Sequence, residues 1–151
     1  MSATDIIAAN PQFSYQSAGH FKWSPNDNII YYNNKTVDTP EGLWALAHEI
    51  GHAKSGHQSF NDDLDLIKKE REAWTEAQLI CAAYEVDIDE DYIEDCLDSY
   101  RDWQKQRATC PDCGTVSTQL NTVNYHCFNC DCEWKVSPSQ TCRIRRSKIR
   151  N

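Results

Sequence analysis

No apolar run in this 151-residue chain approaches the ~20 residues that a membrane-spanning helix needs, so no membrane anchor is expected. The amino terminus, MSATDIIAANP, lacks a basic region, a long apolar core and a small-residue cleavage site, so it does not read as a secretion signal. A cytoplasmic location is the expectation. Internal repeats and low-complexity segments are also lacking. The length suits one domain, or one compact domain with an appendage too small for its own apolar core. Positive charge is in short supply, with 15 Lys and Arg against 23 Asp and Glu. An acidic body argues against non-specific binding of nucleic acid or anionic membrane through the main surface.

Cysteine, by contrast, is plentiful at 8 residues. In a chain without an export signal these are expected as metal ligands or buried thiols, because the cytosol keeps thiols reduced. Cys81 and Cys96 fall in helical patterns, where they read as small buried apolar groups. Cys110, Cys113, Cys127, Cys130, Cys132 and Cys142 crowd the last third. Charge divides at the same place: residues 1–109 carry a balance of −11 and residues 110–151 one of +3, within the net −8.

Local signals predict the elements. SATDIIAAN reads as a short helix capped by Ser2 or Thr4 and stopped by Pro11. GHFKWS and NIIYYN flank the turn residues Pro25, Asn26 and Asp27, which predicts a β-hairpin over residues 20–33. Thr39 as N-cap, Pro40 at the first helical position and Glu41 in the first turn open a helix to about Ser55, with Gly56 as C-cap. A second long helix is expected over 64–84, with Leu66, Ala73, Trp74, Ala77, Ile80, Cys81 and Tyr84 on one stripe. A third is expected over 89–107, capped by Asp89.

The first of these long helices carries HEIGH. His48 and His52 are four apart, so one helix face presents both imidazoles to one metal ion. Glu49 is rotated off that pair, which suits a carboxylate acting as general base on a water beside the metal. Gly51 inside the helix implies close approach by another element. A catalytic zinc takes three protein ligands, so a third must come from elsewhere. His57 is a candidate only if the chain turns sharply at Gly56; Glu70, Glu72 and Glu76 on the next helix are the others.

HEIGHAKSGH followed by EREAWTEA resembles the ImmA/IrrE-type metallopeptidases over about residues 15–85. The resemblance implies a zincin in which the Glu directly before the Ala completes the site, hence His48, His52 and Glu72 as ligands and Glu49 as base. It also implies a strand beside the active-site helix. Trp74 departs from the family pattern, where a small polar residue is usual, and is expected to lie clear of the ligands. His57, Tyr31 and Tyr32 are candidates for stabilising the oxyanion.

Further on, Cys110 and Cys113 form one C-x-x-C and Cys127 and Cys130 another, with thirteen residues between. Two such knuckles complete a tetrahedral structural site, and the whole resembles a zinc ribbon. Cys132 is an alternative to Cys130, and Cys142 is expected as a spare thiol. The last nine residues hold Arg143, Arg145, Arg146, Lys148 and Arg150, read as a solvated, disordered end or a phosphate contact.

Together these readings predict an α+β minimal zincin, with a small antiparallel sheet and about three main helices over residues 1–108. A zinc ribbon over 109–136 and a basic tail over 137–151 follow. Two zinc ions are expected, one catalytic and one structural. The expected activity is zinc-dependent endoproteolysis of a specific protein partner such as a transcriptional repressor, with no membrane partner. SprT-like proteases, which join a similar motif to a ribbon and act on DNA-bound proteins, offer a weaker analogy. The alternative is a binding module whose ribbon and tail recognise nucleic acid or protein while the zincin-like centre is not catalytic.

Overall fold

A computed structural model describes residues 1–138 and 144–149. The chain forms two compact units, one of Met1–Ser59 with Lys68–Glu94, the other of Phe60–Ile67 with Asp95–Asn151. The class is α+β, with four helices among the described residues.

In the first unit, helix α1 spans Ala3–Ala9 and opens on a capping box: Ser2 Oγ accepts from the Asp5 N–H, and the Asp5 carboxylate accepts from the Ser2 N–H. Strands β1 (Ser14–Ala18), β2 (Lys22–Ser24) and β3 (Ile29–Asn33) form a sheet in the order β1-β3-β2. The expected hairpin is β2 and β3, paired antiparallel with Trp23 opposite Ile30. The sheet is mixed rather than antiparallel, because β1 joins the other side of β3 in parallel register. β1 escaped the pattern reading since SYQSA has no buried residue and no apolar alternation.

Helix α2 (Pro40–Lys54) begins as its sequence predicts, with Thr39 Oγ1 accepting from the Gly42 N–H. Its core face, Leu46, Ala47 and Ile50, is fully buried, as are Ile6 and Ile30. Burial of each such Leu or Ile is worth about 1.5–3 kcal/mol. The helix ends in a Schellman motif: the Gly56 N–H bonds the Ala53 carbonyl, the His57 N–H bonds the His52 carbonyl, and Gly56 sits at φ 68°. Helix α3 (Asp63–Ala82) crosses α2 at Gly51, where an added Cβ would lie 2.3 Å from the Ala73 carbonyl oxygen. That approach explains the helix-interior glycine. Helix α4 (Glu90–Ala108) contributes Tyr92, whose ring meets Trp44 at 5.2 Å and Trp74 at 5.8 Å.

The second unit holds β4 (Thr118–Gln119), β5 (Asn124–His126), β6 (Glu133–Val136) and β7 (Arg146–Lys148) as one sheet in chain order. Tyr125 and Trp134 stack at 5.5 Å in its core. Beneath them lies a buried ion pair, Arg107 Nε donating to Asp63 Oδ2 at 2.8 Å. The guanidinium also donates to the Ser137 and Thr122 carbonyls, and Asp63 accepts from the Tyr125 hydroxyl and from Gln119 Nε2. Such a pair survives burial because these bonds satisfy its remaining donors and acceptors. The tail is not wholly a disordered end: Arg146–Lys148 pairs with β6, where an open strand edge offers its N–H and C=O groups. Cys142, Arg143 and Arg150 lie outside the described residues.

Candidate metal centres

Crossing at Gly51 and Ala73 brings α3 against the histidine face of α2. The buried positions of α3, Leu66, Glu70, Ala73, Trp74, Ala77, Ile80 and Cys81, follow helical spacing, so Glu70 occupies an apolar-stripe position and points inward. It meets both histidines. Glu70 Oε2 lies 3.0 Å from His48 Nε2, Glu70 Oε1 lies 3.3 Å from His52 Nε2, and the two Nε2 atoms are 3.1 Å apart. A tetrahedral zinc bound at about 2.0–2.2 Å holds such donors roughly 3.3 Å apart, so the two imidazoles and the Glu70 carboxylate fit one ion.

The structure thus brings Glu70, and not the expected Glu72, to the histidine pair. Glu72, on the other side of α3, is half exposed, and its Oε2 lies 2.9 Å from His57 Nε2. Glu76 instead pairs with Lys54 at 3.3 Å. The expectation for Trp74 is also corrected, since its ring lies over His48 with centroids 4.2 Å apart. His57 arrives by the sharp turn at Gly56, and its Nδ1 sits 2.9 Å from His52 Nδ1.

Charge is concentrated here. Burial favours a protonated Glu70, yet hydrogen bonds from His48 and His52 and their charge hold its carboxyl down at about 2. Burial works against a charged His52, but the Glu70 hydrogen bond, then the charges of Glu70 and Glu49, lift it above the ordinary value. His48 Nδ1 is buried without a hydrogen-bond partner. A metal bound at Nε2 would leave that ring's proton on Nδ1.

Glu49 is held by the sheet. Its Oε2 accepts the Trp23 N–H at 2.6 Å, a donor on the free edge of β2. The Trp23 indole N–H donates to the His57 carbonyl at 2.8 Å. Trp23 thus ties the edge strand to both the HEIGH helix and its C-cap, a role that reading the chain by motif did not assign. A polar-flanked tryptophan one strand upstream of the motif was the signal available. Tyr31 packs on His20, with ring centroids 5.9 Å apart.

The second group is formed by Cys110, Cys113, Cys127 and Cys130, as the spacing predicts. Sγ atoms of Cys110 and Cys130 are 3.6 Å apart and those of Cys113 and Cys127 are 3.5 Å apart. Four sulfurs at about 2.3 Å from a tetrahedral zinc stand roughly 3.8 Å apart, whereas a disulfide would hold a pair near 2.05 Å. The Gly114 N–H bonds the Cys110 carbonyl and the Asp131 N–H bonds the Cys127 carbonyl, closing the two knuckles. Hydrogen bonds from the Thr115 hydroxyl and N–H, with another from Asn129, hold the Cys113 thiol down at about 5. Cys132 stands outside the quartet, its carbonyl accepting the Cys127 N–H. Burial pushes the Cys81 thiol up to about 11, and Cys96 is half-buried.

Two helices presenting a His-x-x-x-His pair and a carboxylate, with a second carboxylate on the histidine helix held by an adjacent strand edge, form an arrangement that suits a metallopeptidase. The chain belongs to the Peptidase_M78 family, the IrrE N-terminal-like domain, whose pattern matches residues 7–143. No curated protein and no solved structure matches it. Among the described residues no helix is long and apolar enough to cross a membrane.

Proposed function

We propose that the protein is a zinc-dependent endopeptidase in which His48, His52 and Glu70 hold the catalytic ion and Glu49 is the general base. The observation that carries this reading is the convergence of His48 Nε2, His52 Nε2 and the Glu70 carboxylate through contacts of 3.0–3.3 Å, in a chain of a peptidase family. Zinc in such a site acidifies water and polarises a carbonyl. Glu49, held through Oε2 by the Trp23 N–H, keeps Oε1 to accept the attacking water's proton and deliver it to the leaving amine. The free edge of β2 gives an extended peptide a strand to align against.

The four-cysteine group would hold a second, structural zinc and stabilise a unit with a small core. Family membership supports a protein substrate, and a regulatory role toward one partner, such as a transcriptional repressor, is the form we assign to it. Seven described cysteines, all free, suit a reducing cytoplasm. The ribbon also supports a recognition role, since Phe128 in the second knuckle is 69% exposed and Lys135, Arg145 and Lys148 of the same unit are exposed.

Glu49→Gln separates the enzyme from a pure binding module. The variant should keep its full metal content and lose hydrolysis of a quenched-peptide library, because the amide fills the space but accepts no proton. Wild-type turnover by this variant would refute the general-base assignment.

A further inference from the structure

Glu70 completes the first centre, yet the His57 and Glu72 side chains form an ordered continuation of it. Starting from the cluster, His52 Nδ1 faces His57 Nδ1 at 2.9 Å, and His57 Nε2 faces Glu72 Oε2 at 2.9 Å. His57 is 8% exposed, and its backbone is fixed by the Schellman bond to the His52 carbonyl.

Proton bookkeeping gives this chain one direction. If His52 Nε2 is a metal ligand, its lone pair is committed and the ring's single proton lies on Nδ1. That N–H must donate to His57 Nδ1, which therefore carries no proton. The proton of His57 then lies on Nε2 and donates to the Glu72 carboxylate. Each of the three groups has a partner of the complementary kind, and no alternative tautomer satisfies all of them with His52 as ligand. Lys68, 3.9 Å from Glu72 Oε1, faces the far end of the same carboxylate.

We infer that His57 is a positioning residue for the metal ligand His52, fixing its tautomer and ring orientation, with Glu72 fixing His57 in turn. The inference rests on the reading of His52 Nε2 as a ligand. It assigns a purpose to the turn at Gly56, which bends the chain so that a residue five positions beyond His52 faces back toward it. Partners of this kind typically change metal affinity by about 10–100-fold when removed.

The zinc-loaded wild-type protein provides the direct test, through two-bond 15N–1H correlations of its histidine rings. His52 should show a proton on Nδ1 and a metal-shifted Nε2, and His57 a proton on Nε2. A proton on His57 Nδ1, with His52 Nε2 still metal-shifted, overturns the positioning role alone. An unshifted His52 Nε2 removes the ligand assignment and this inference with it. Chelator competition with zinc adds a second readout: His57→Phe, which has no acceptor, should bind about 10–100-fold more weakly, while His57→Gln, whose Oε1 can accept from His52, should recover most of that loss. Equal zinc affinity of His57→Phe and wild type would also overturn the proposal.

Discussion

The two candidate metal centres are built on opposite principles. The four sulfurs of the ribbon come from two knuckles, each closed by its own backbone hydrogen bonds within five residues. The His48, His52 and Glu70 donors come from two helices 22 residues apart in sequence between His48 and Glu70, and meet only because those helices cross at Gly51 and Ala73. One centre is local, and the other is a product of tertiary packing. A local centre can organise its surroundings when the metal arrives, whereas a tertiary centre inherits its geometry from a core already in place.

Removing a sulfur should therefore have the largest effect. Structural zinc contributes about 10–16 kcal/mol of apparent binding energy in finger peptides, and here it would act on a unit whose buried core is small. Cys113→Ser should lose one of two zinc equivalents by elemental analysis and lose the near-ultraviolet circular dichroism of the stacked Tyr125 and Trp134. A variant that retains both signals would mean that the ribbon folds without its metal and would erase the contrast.

Next in size is the choice between Glu70 and Glu72. Glu70→Ala should weaken zinc binding at the first centre by more than about 100-fold, beyond the 10–100-fold typical of groups outside the ligand set. Glu72→Ala should stay within about 10-fold of wild type, since it reaches the site only through His57. The order is read by chelator competition on the two variants side by side. The reverse order would return the third ligand to Glu72.

That pair also shows what could be read in advance. The capped starts of α1 and α2, the hairpin and each of the two cysteine knuckles depend on residues close in sequence, so spacing and turn chemistry revealed them. Glu70 depended on helix phase. The apolar stripe of α3 leaves a gap of six residues between Leu66 and Ala73, and the position that fills it in register is Glu70. A carboxylate in a core position is the signal for a candidate ligand, and the residue that the motif resemblance implied lies two positions further on. β1, Trp23 and the Asp63–Arg107 pair were not legible, since each is defined by a partner distant in sequence.

Gly51→Ala tests the tertiary centre through its crossing. The new Cβ would meet a backbone carbonyl oxygen that no rotamer change can move, so the helices must separate. Overpacking of this kind costs about 1–3 kcal/mol, and chemical denaturation of the metal-free protein should show a loss at the upper end. Zinc affinity at the first centre should fall with it, because Ala73 and Glu70 share a helix. Ribbon zinc should remain.

The smallest effect comes from a matched pair of glycines, one beside each centre. Gly56 ends α2 at φ 68°, and Gly114 closes the first knuckle at φ 74°; an added Cβ meets nothing within 4 Å at either position. Only backbone strain separates Ala from Gly there, about 1–2 kcal/mol for a left-handed residue. Gly56→Ala and Gly114→Ala should therefore lower stability by similar amounts in denaturant titrations, yet differ in how zinc responds. Bound metal can hold the knuckle of Gly114 in its strained form, because Cys110 and Cys113 both lie within it. The turn at Gly56 carries His57 alone, outside the donor trio, so metal cannot hold it directly. Added zinc should restore the stability of Gly114→Ala more fully than that of Gly56→Ala, and equal recovery would show that the two centres are coupled to their folds in the same way.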